Sequence, residues 1–143
     1  MAVAFKVDVV SPEKVLFSGE ADMVITRTLE GGEVAFQNGH APFLGALVEN
    51  HTRIFLSDGT VKDVAVHRGF VEVSGTPTTI AILSDTAELA EEIDVDRARE
   101  ALERHQKVMR SETNQSELTD ALAGAARAQA RLTATNSPWG FPA

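Results

Sequence analysis

A chain of 143 residues, 43% of them hydrophobic, can bury one core and a small appendage. It has no cysteine, which excludes disulfides and thiolate metal sites and is compatible with a reducing cytoplasm. Its formal net charge of -8 repels phosphate backbones and argues against a nucleic-acid module, and no apolar run approaches the ~20 residues of a spanning helix.

The acidity is uneven. Residues 1–93 carry 14 acids against 6 Lys plus Arg, whereas residues 94–143 carry 7 of each. Residues 1–10 lack a basic stretch followed by an apolar core, so no signal peptide is expected there. Instead Val3, Phe5, Val7 and Val9 alternate with Ala4, Lys6 and Asp8, the period of a half-buried strand, which Ser11-Pro12 ends. Met23 and Ile25 belong to a second strand, followed by a Gly31-Gly32 turn. Ile54-Phe55-Leu56 and residues 61–66 flank Ser57-Asp58-Gly59-Thr60, where Asp-Gly signals a hairpin because Gly tolerates positive φ. Phe70, Val71 and Val73 lead into a Ser74-Gly75-Thr76-Pro77 turn, and residues 79–83 read as a buried strand. Many short strands separated by turn signals predict an antiparallel β-sandwich.

The period then changes. Ala98, Ala101, Leu102, His105, Val108 and Met109 recur at spacings of three and four, so a helix is expected, with Asp94 as its N-cap. Residues 111–116 are polar, and Asn114 with Glu117 resembles a capping box. Leu118, Ala121, Leu122, Ala125, Ala128 and Leu132 line one face of a second helix. The predicted fold class is α+β: an N-terminal antiparallel β-sandwich (1–87), a C-terminal two-helix antiparallel hairpin (88–136), and an aperiodic tail (137–143) expected to be disordered. The Ala-rich seam buries little area, so the hairpin is expected to detach more easily than the sandwich.

Catalytic motifs are missing. No Gly-x-x-x-x-Gly-Lys-Ser/Thr segment wraps a phosphate, no nucleophile elbow occurs, and His40, His51, His67 and His105 show no metal-ligand spacing. No catalytic residue and no metal ligand is therefore assigned.

Several segments, in this order and at this length, resemble the epsilon subunit of bacterial F-type ATP synthases. They are Val9-Val10-Ser11-Pro12, residues 17–24, Gly39-His40-Ala41-Pro42, residues 69–73, residues 83–88 and Ala90-Glu91-Glu92-Ile93-Asp94. The resemblance implies a non-catalytic central-stalk subunit that couples proton flow to ATP synthesis and inhibits hydrolysis through its C-terminal helices. It implies the gamma subunit, the c-ring and the alpha–beta catalytic hexamer as partners. It also implies a place on the cytoplasmic face of the cell membrane, reached only through the complex. Glu33 and His40-Ala41-Pro42, read as loops, are the implied partner contacts.

Ile93-Asp94-Val95-Asp96-Arg97-Ala98 matches the family's Ile/Leu-Asp-x-x-Arg-Ala motif, which in some bacterial members binds ATP. Glu88, Arg104, Arg127 and Arg131 fall where ATP-binding members carry matching residues. The implied site is thus Glu88, Ile93, Asp94, Arg97, Ala98, Arg104, Arg127 and Arg131, for a regulatory ATP and no required cofactor. Guanidinium groups hold their charge and bind phosphate bidentately, which makes the chemistry reasonable. A second reading stands beside it: Asp94 only caps the helix, Glu100 and Arg104 form an i,i+4 pair, and Arg127 and Arg131 face solvent opposite the Leu118–Leu122 side. Two other functions stay open at this point, a free nucleotide-sensing domain outside any motor and a small β-sandwich hydrolase.

Overall fold

The computed structural model describes residues 3–136. Nine strands come first: β1 (Phe5–Val10), β2 (Val15–Thr28), β3 (Gly32–Phe36), β4 (Phe43–Leu47), β5 (Asn50–Leu56), β6 (Val61–Val66), β7 (Gly69–Ser74), β8 (Thr79–Leu83) and β9 (Glu88–Leu89). A short 3-10 turn (Ala90–Glu92) and helices α1 (Val95–Ser111) and α2 (Gln115–Thr135) follow. The alternation expected in the first strand is present, with Phe5, Val7 and Val9 buried; Val3 lies before the strand and is exposed.

The strands form two layers, β4-β7-β8-β1 and β3-β2-β5-β6-β9. The 14-residue β2 joins them, pairing with β1 along its first half and with β5 and β3 along its second. Pairing is antiparallel throughout except for β1–β8, which run parallel from Lys6↔Thr79 to Val10↔Leu83. Between the layers lie Val7, Val24, Phe36, Ile54, Val64, Val66, Val71, Ile80 and Ile82, all at most 1% exposed. Each fully buried Val or Ile contributes about 1.5–3 kcal/mol, so this core, not the helices, sets stability.

The Asp58-Gly59 turn joins β5 to β6 as expected. Gly59 has φ +91, and Asp58 Oδ1 accepts from Thr60 N at 2.9 Å and Thr60 Oγ1 at 2.6 Å. Those hydrogen bonds hold the Asp58 carboxyl below the usual carboxylate range.

Asp94 caps α1, its Oδ1 accepting from Arg97 N at 3.1 Å. Asn114 caps α2, accepting from the Ser116 and Glu117 amides, but the reciprocal half of the capping box belongs to another residue. Glu112 Oε1, not Glu117, accepts from Asn114 N at 2.8 Å. Only residues 112–114 separate the helices, and His105 of α1 meets Gly124 of α2 across that loop, so the helices run antiparallel.

The packing face of α2 keeps Ala121 and Ala128 of the expected one but not its leucines. Leu122 is 55% exposed, and the buried residues are Ala121, Gly124, Ala128, Ala130, Ala134 and Thr135. Ala121, Gly124 and Ala128 share the face that meets α1. Ala134 sits on the other side, in a cluster with Ala65 of β6, Ala90 and Ile93. Because α2 lies between α1 and the β5–β6 surface, it needs two small-residue faces, and the leucines are left at its margin. Strand β9 takes residues 88 and 89, expected to open the hairpin segment, into the sheet, pairing Leu89 with Val64 and Glu88 with Ala65. The tail expected at 137–143 lies outside the described residues.

Candidate functional site

The cavity between the helices and the edge of the sheet gathers all eight residues of the implied nucleotide site. About 470 Å³ in volume, it is lined by Glu88, Ile93, Asp94, Arg97, Ala98, Arg104, Arg127 and Arg131, together with Glu92, Ala101, His105 and Gly124. The local geometry explains this convergence. On α1, residues 97, 101, 104 and 105 lie along one stripe, and Arg127 and Arg131 are one helical turn apart on α2. β9 brings Glu88 to the edge of the cavity, and the 3-10 turn brings Glu92 and Ile93.

The charges are unevenly paired. Arg131 Nε donates to Glu88 Oε1 at 2.6 Å, and His67 Nε2 donates to the same oxygen at 2.8 Å. Arg97, Arg104 and Arg127 make no side-chain hydrogen bond or ion pair among the described residues. The expected Glu100–Arg104 pair is not formed; the ion pair on the exposed side of α1 is Asp96–Arg99 at 3.3 Å. Three guanidinium groups with no protein anion, in one cavity with a fourth, have the charge and geometry to accept a polyanion. The field is felt by His105, whose pKa is lowered by burial and then by the positive charges of Arg104 and Arg127. Among the described residues no group of three His, Asp or Glu could hold a metal ion.

Glu88 ties this cavity to the sheet. Burial alone would raise its pKa, but hydrogen bonds from His67 and Arg131 and attraction to them outweigh that and leave the pKa below the ordinary value. His67 is nearly inaccessible, and its Nδ1 has no partner among the described residues. Sequence spacing alone could not reveal this latch, because its partners lie 21 and 43 residues from Glu88.

The latch gives a prediction. Glu88→Gln keeps the shape and removes the charge, and should weaken docking of the hairpin on the sheet by about 1 kcal/mol. That is below the usual value for hydrogen bonds to charged groups because the carboxylate is partly exposed. A depressed carboxyl pKa contributes stability above the unfolded value of about 4.3 and loses it as pH falls through the lower folded value. The protection of the α2 amides in wild type, with the intrinsic pH dependence of exchange divided out, should therefore be steady from about pH 5 upward and fall in acid, with this step missing in Glu88→Gln. Equal exchange in the two proteins at neutral pH would contradict it.

The residues implied as partner contacts do not form one site. Glu33, expected on a loop, lies within β3, opposite Arg27 in register, and pairs with Arg53 at 3.1 Å. It faces a groove shared with Ala126, Gln129, Ala130 and Thr133 of α2. His40, Ala41 and Pro42 do lie on an exposed loop. The His40 ring packs edge-on against Phe36 at 4.8 Å, its Nδ1 is 2.8 Å from Ala41 O, and Gly39 N donates to Thr78 Oγ1 at 2.8 Å. Glu33 and Phe36 point to opposite faces of the strand, which separates Glu33 from the loop.

A second surface gave no motif in the sequence. The helices cover β5 and β6, whereas the outer face of the β4-β7-β8-β1 layer is bare among the described residues, polar at the end of Lys6, Glu72 and Thr79 and apolar at the other. Leu44, Phe70 and Leu83 are exposed by 70%, 54% and 49%, with Phe70 opposite both Ala46 and Leu83 in register. Phe70 and Leu83 border a groove of about 780 Å³ with Leu29 and Val10, and Leu44 lines a neighbouring pocket that shares Leu29. The signal in the sequence was the unbroken apolar run Ile80-Ala81-Ile82-Leu83 in β8 and Phe70 beside Val71 in β7, which marks a stretch covered on two sides.

Residues 4–90 match the family described as ATP synthase, Delta/Epsilon chain, beta-sandwich domain. The ATP synthase epsilon chain of Ruminococcus albus is 35% identical over 136 residues, covering 95% of this chain and 98% of that one. The Thermobifida fusca ATP synthase epsilon chain is 47% identical over 107 residues, covering 71% and 76%. Among solved structures, a chain of the Euglena gracilis mitochondrial ATP synthase (OSCP/F1/c-ring) superposes with a TM-score of 0.78 at 18% identity, covering 88% of this chain and 78% of that one. One from the Tetrahymena thermophila ATP synthase central stalk and c-ring gives 0.63 at 15%, covering 94% and 98%. At those identities the superpositions speak for the fold alone, but the match over residues 4–90 and the near full-length likeness to the Ruminococcus albus protein are decisive: this chain belongs to the ATP synthase epsilon-chain family.

Proposed function

We propose that this chain is a non-catalytic central-stalk subunit of an F-type ATP synthase, whose hairpin docks on the sandwich when ATP occupies the arginine-lined cavity and otherwise restrains hydrolysis at the alpha–beta hexamer. The convergence of four arginines, three of them without a protein anion, on one cavity between hairpin and sheet carries this reading. Bidentate guanidinium contacts suit a polyphosphate, and the Glu88 and Asp94 carboxylates can accept from ribose or adenine groups. No cofactor is required; the ATP is regulatory.

The sandwich supplies the anchorage. Its bare apolar face, rimmed by polar residues, is the seat for gamma, since large exposed apolar patches mark protein contacts. The His40-Ala41-Pro42 loop, held by Phe36 and Thr78 on a rigid scaffold, is the contact for the c-ring. No helix among the described residues is long and apolar enough to cross a membrane, so attachment to the cytoplasmic face is proposed to run through the complex.

The test uses the assembled enzyme. Ending the chain after Glu92 keeps β9 and the buried Ala90 and removes both helices. Hydrolysis at low ATP should then rise several-fold, with synthesis largely intact. Equal hydrolysis by full-length and truncated complexes at every ATP concentration would reject the regulatory role. Failure of the full chain to co-purify with gamma would favour a free nucleotide sensor.

A further inference from the structure

His105 is part of the cavity, yet no family motif on this chain calls for it. Its ring rests against Gly124 of α2 so closely that a Cβ there would come within 2.8 Å of Cδ2. Gly124 therefore fixes where the ring sits, and the ring is only partly exposed. Neither ring nitrogen makes a hydrogen bond among the described residues.

The charged groups around it come from every neighbouring element. Arg97 and Arg104 lie on α1, Arg127 and Arg131 on α2, Glu88 on β9, Glu92 on the 3-10 turn, and Asp94 at the cap. Glu88 is committed to His67 and Arg131. The field at the imidazole is therefore set by Arg104 and Arg127, which oppose a further positive charge. A polyphosphate held by these same arginines reverses the sign of that field. An opposite charge at contact range typically moves a side-chain pKa by about 1–3 units.

Resting on the reading of this cavity as an ATP site, we propose that His105 is a fifth phosphate-facing group and that ATP enters the cavity together with a proton on the imidazole. Proton and nucleotide are then linked ligands: a lower pH within the neutral range tightens ATP binding, and bound ATP favours the protonated ring. In the empty cavity the neutral ring leaves the two guanidinium groups free to receive the anion. In the occupied one the imidazolium donates to a phosphate oxygen, and neither step needs rearrangement of the helices.

The experiment follows the histidine Cε1–H resonances of the full chain through a pH titration, with and without saturating ATP, alongside calorimetry on wild type and His105→Gln. The expected result is an upward shift of the His105 midpoint by about one unit on adding ATP. Wild-type affinity should rise severalfold between pH 8 and pH 6 relative to His105→Gln. The titration of ATP itself is common to both proteins and cancels in that comparison. An unchanged His105 midpoint in the ATP-bound chain overturns the proposal and leaves the ATP site standing. So does a His105→Gln profile parallel to wild type, and the resonance measurement stands even if the variant does not fold. Absence of ATP binding at every pH overturns both.

Discussion

Leu44→Glu combined with Phe70→Glu should abolish binding to gamma while the chain stays folded. Both side chains are more than half exposed, so the fold loses almost none of its core. Both lie on the bare outer face of the β4-β7-β8-β1 layer, where a docked partner would strip water from the new carboxylates. Leaving a buried carboxylate unpaired costs several kcal/mol, and large apolar anchors at an interface are typically worth about 2 kcal/mol or more each. A combined loss of about 3–5 kcal/mol weakens binding roughly two to four orders of magnitude. Calorimetry or pull-down with gamma measures the loss, and an unchanged urea midpoint shows that the fold is intact. Wild-type affinity in a folded double variant would move the gamma seat elsewhere on the sandwich.

The second large effect concerns the cavity. Arg97→Ala should lower ATP affinity about ten- to a hundredfold, the loss of one charge-assisted contact worth about 1.5–3 kcal/mol. Arg127→Ala should do the same, because it faces the cavity from the opposite helix. Neither arginine has a protein partner to leave unpaired, so the resting fold should be unaffected. Arg131→Ala differs, since it also breaks the latch to Glu88 and should loosen the hairpin without nucleotide. That contrast separates arginines that only bind from the one that also holds the helices down.

Much of this was legible in the sequence because the signals are local. The alternation of Phe5, Val7 and Val9, the Asp58-Gly59 turn and the Asp94 cap each depend on residues within a few positions. The arginine spacings 97–104 and 127–131 set the helix faces correctly for the same reason. The packing face of α2 was legible only at Ala121 and Ala128. A helix so rich in alanine offers little hydrophobic contrast, and the two leucines drew the predicted face away from Gly124. Glu33 was misplaced because the adjacent Gly31-Gly32 turn suggests a longer loop than the chain forms; Gly32 already starts β3. The parallel β1–β8 pair, the Glu88 latch and the bare apolar face join residues far apart in the chain, which no local period encodes.

Weak docking of the hairpin is built into the same packing. Its buried positions on α2 are Ala, Gly and Thr, each contributing about one methyl group or less, roughly 0.8 kcal/mol at most. ATP bound only to the docked form adds RT ln(1 + [L]/Kd), about 2.7 kcal/mol at a hundredfold excess over Kd. That suffices to move a hairpin whose two states differ by a kcal/mol or two. The most direct measurement is therefore amide hydrogen exchange across α1 and α2 of the full chain, with and without millimolar ATP. The account predicts strong added protection in both helices, unchanged exchange in β7 and β8, and no added protection in Arg97→Ala. Identical helix exchange with and without ATP in wild type would contradict it and leave the arginines to a partner protein.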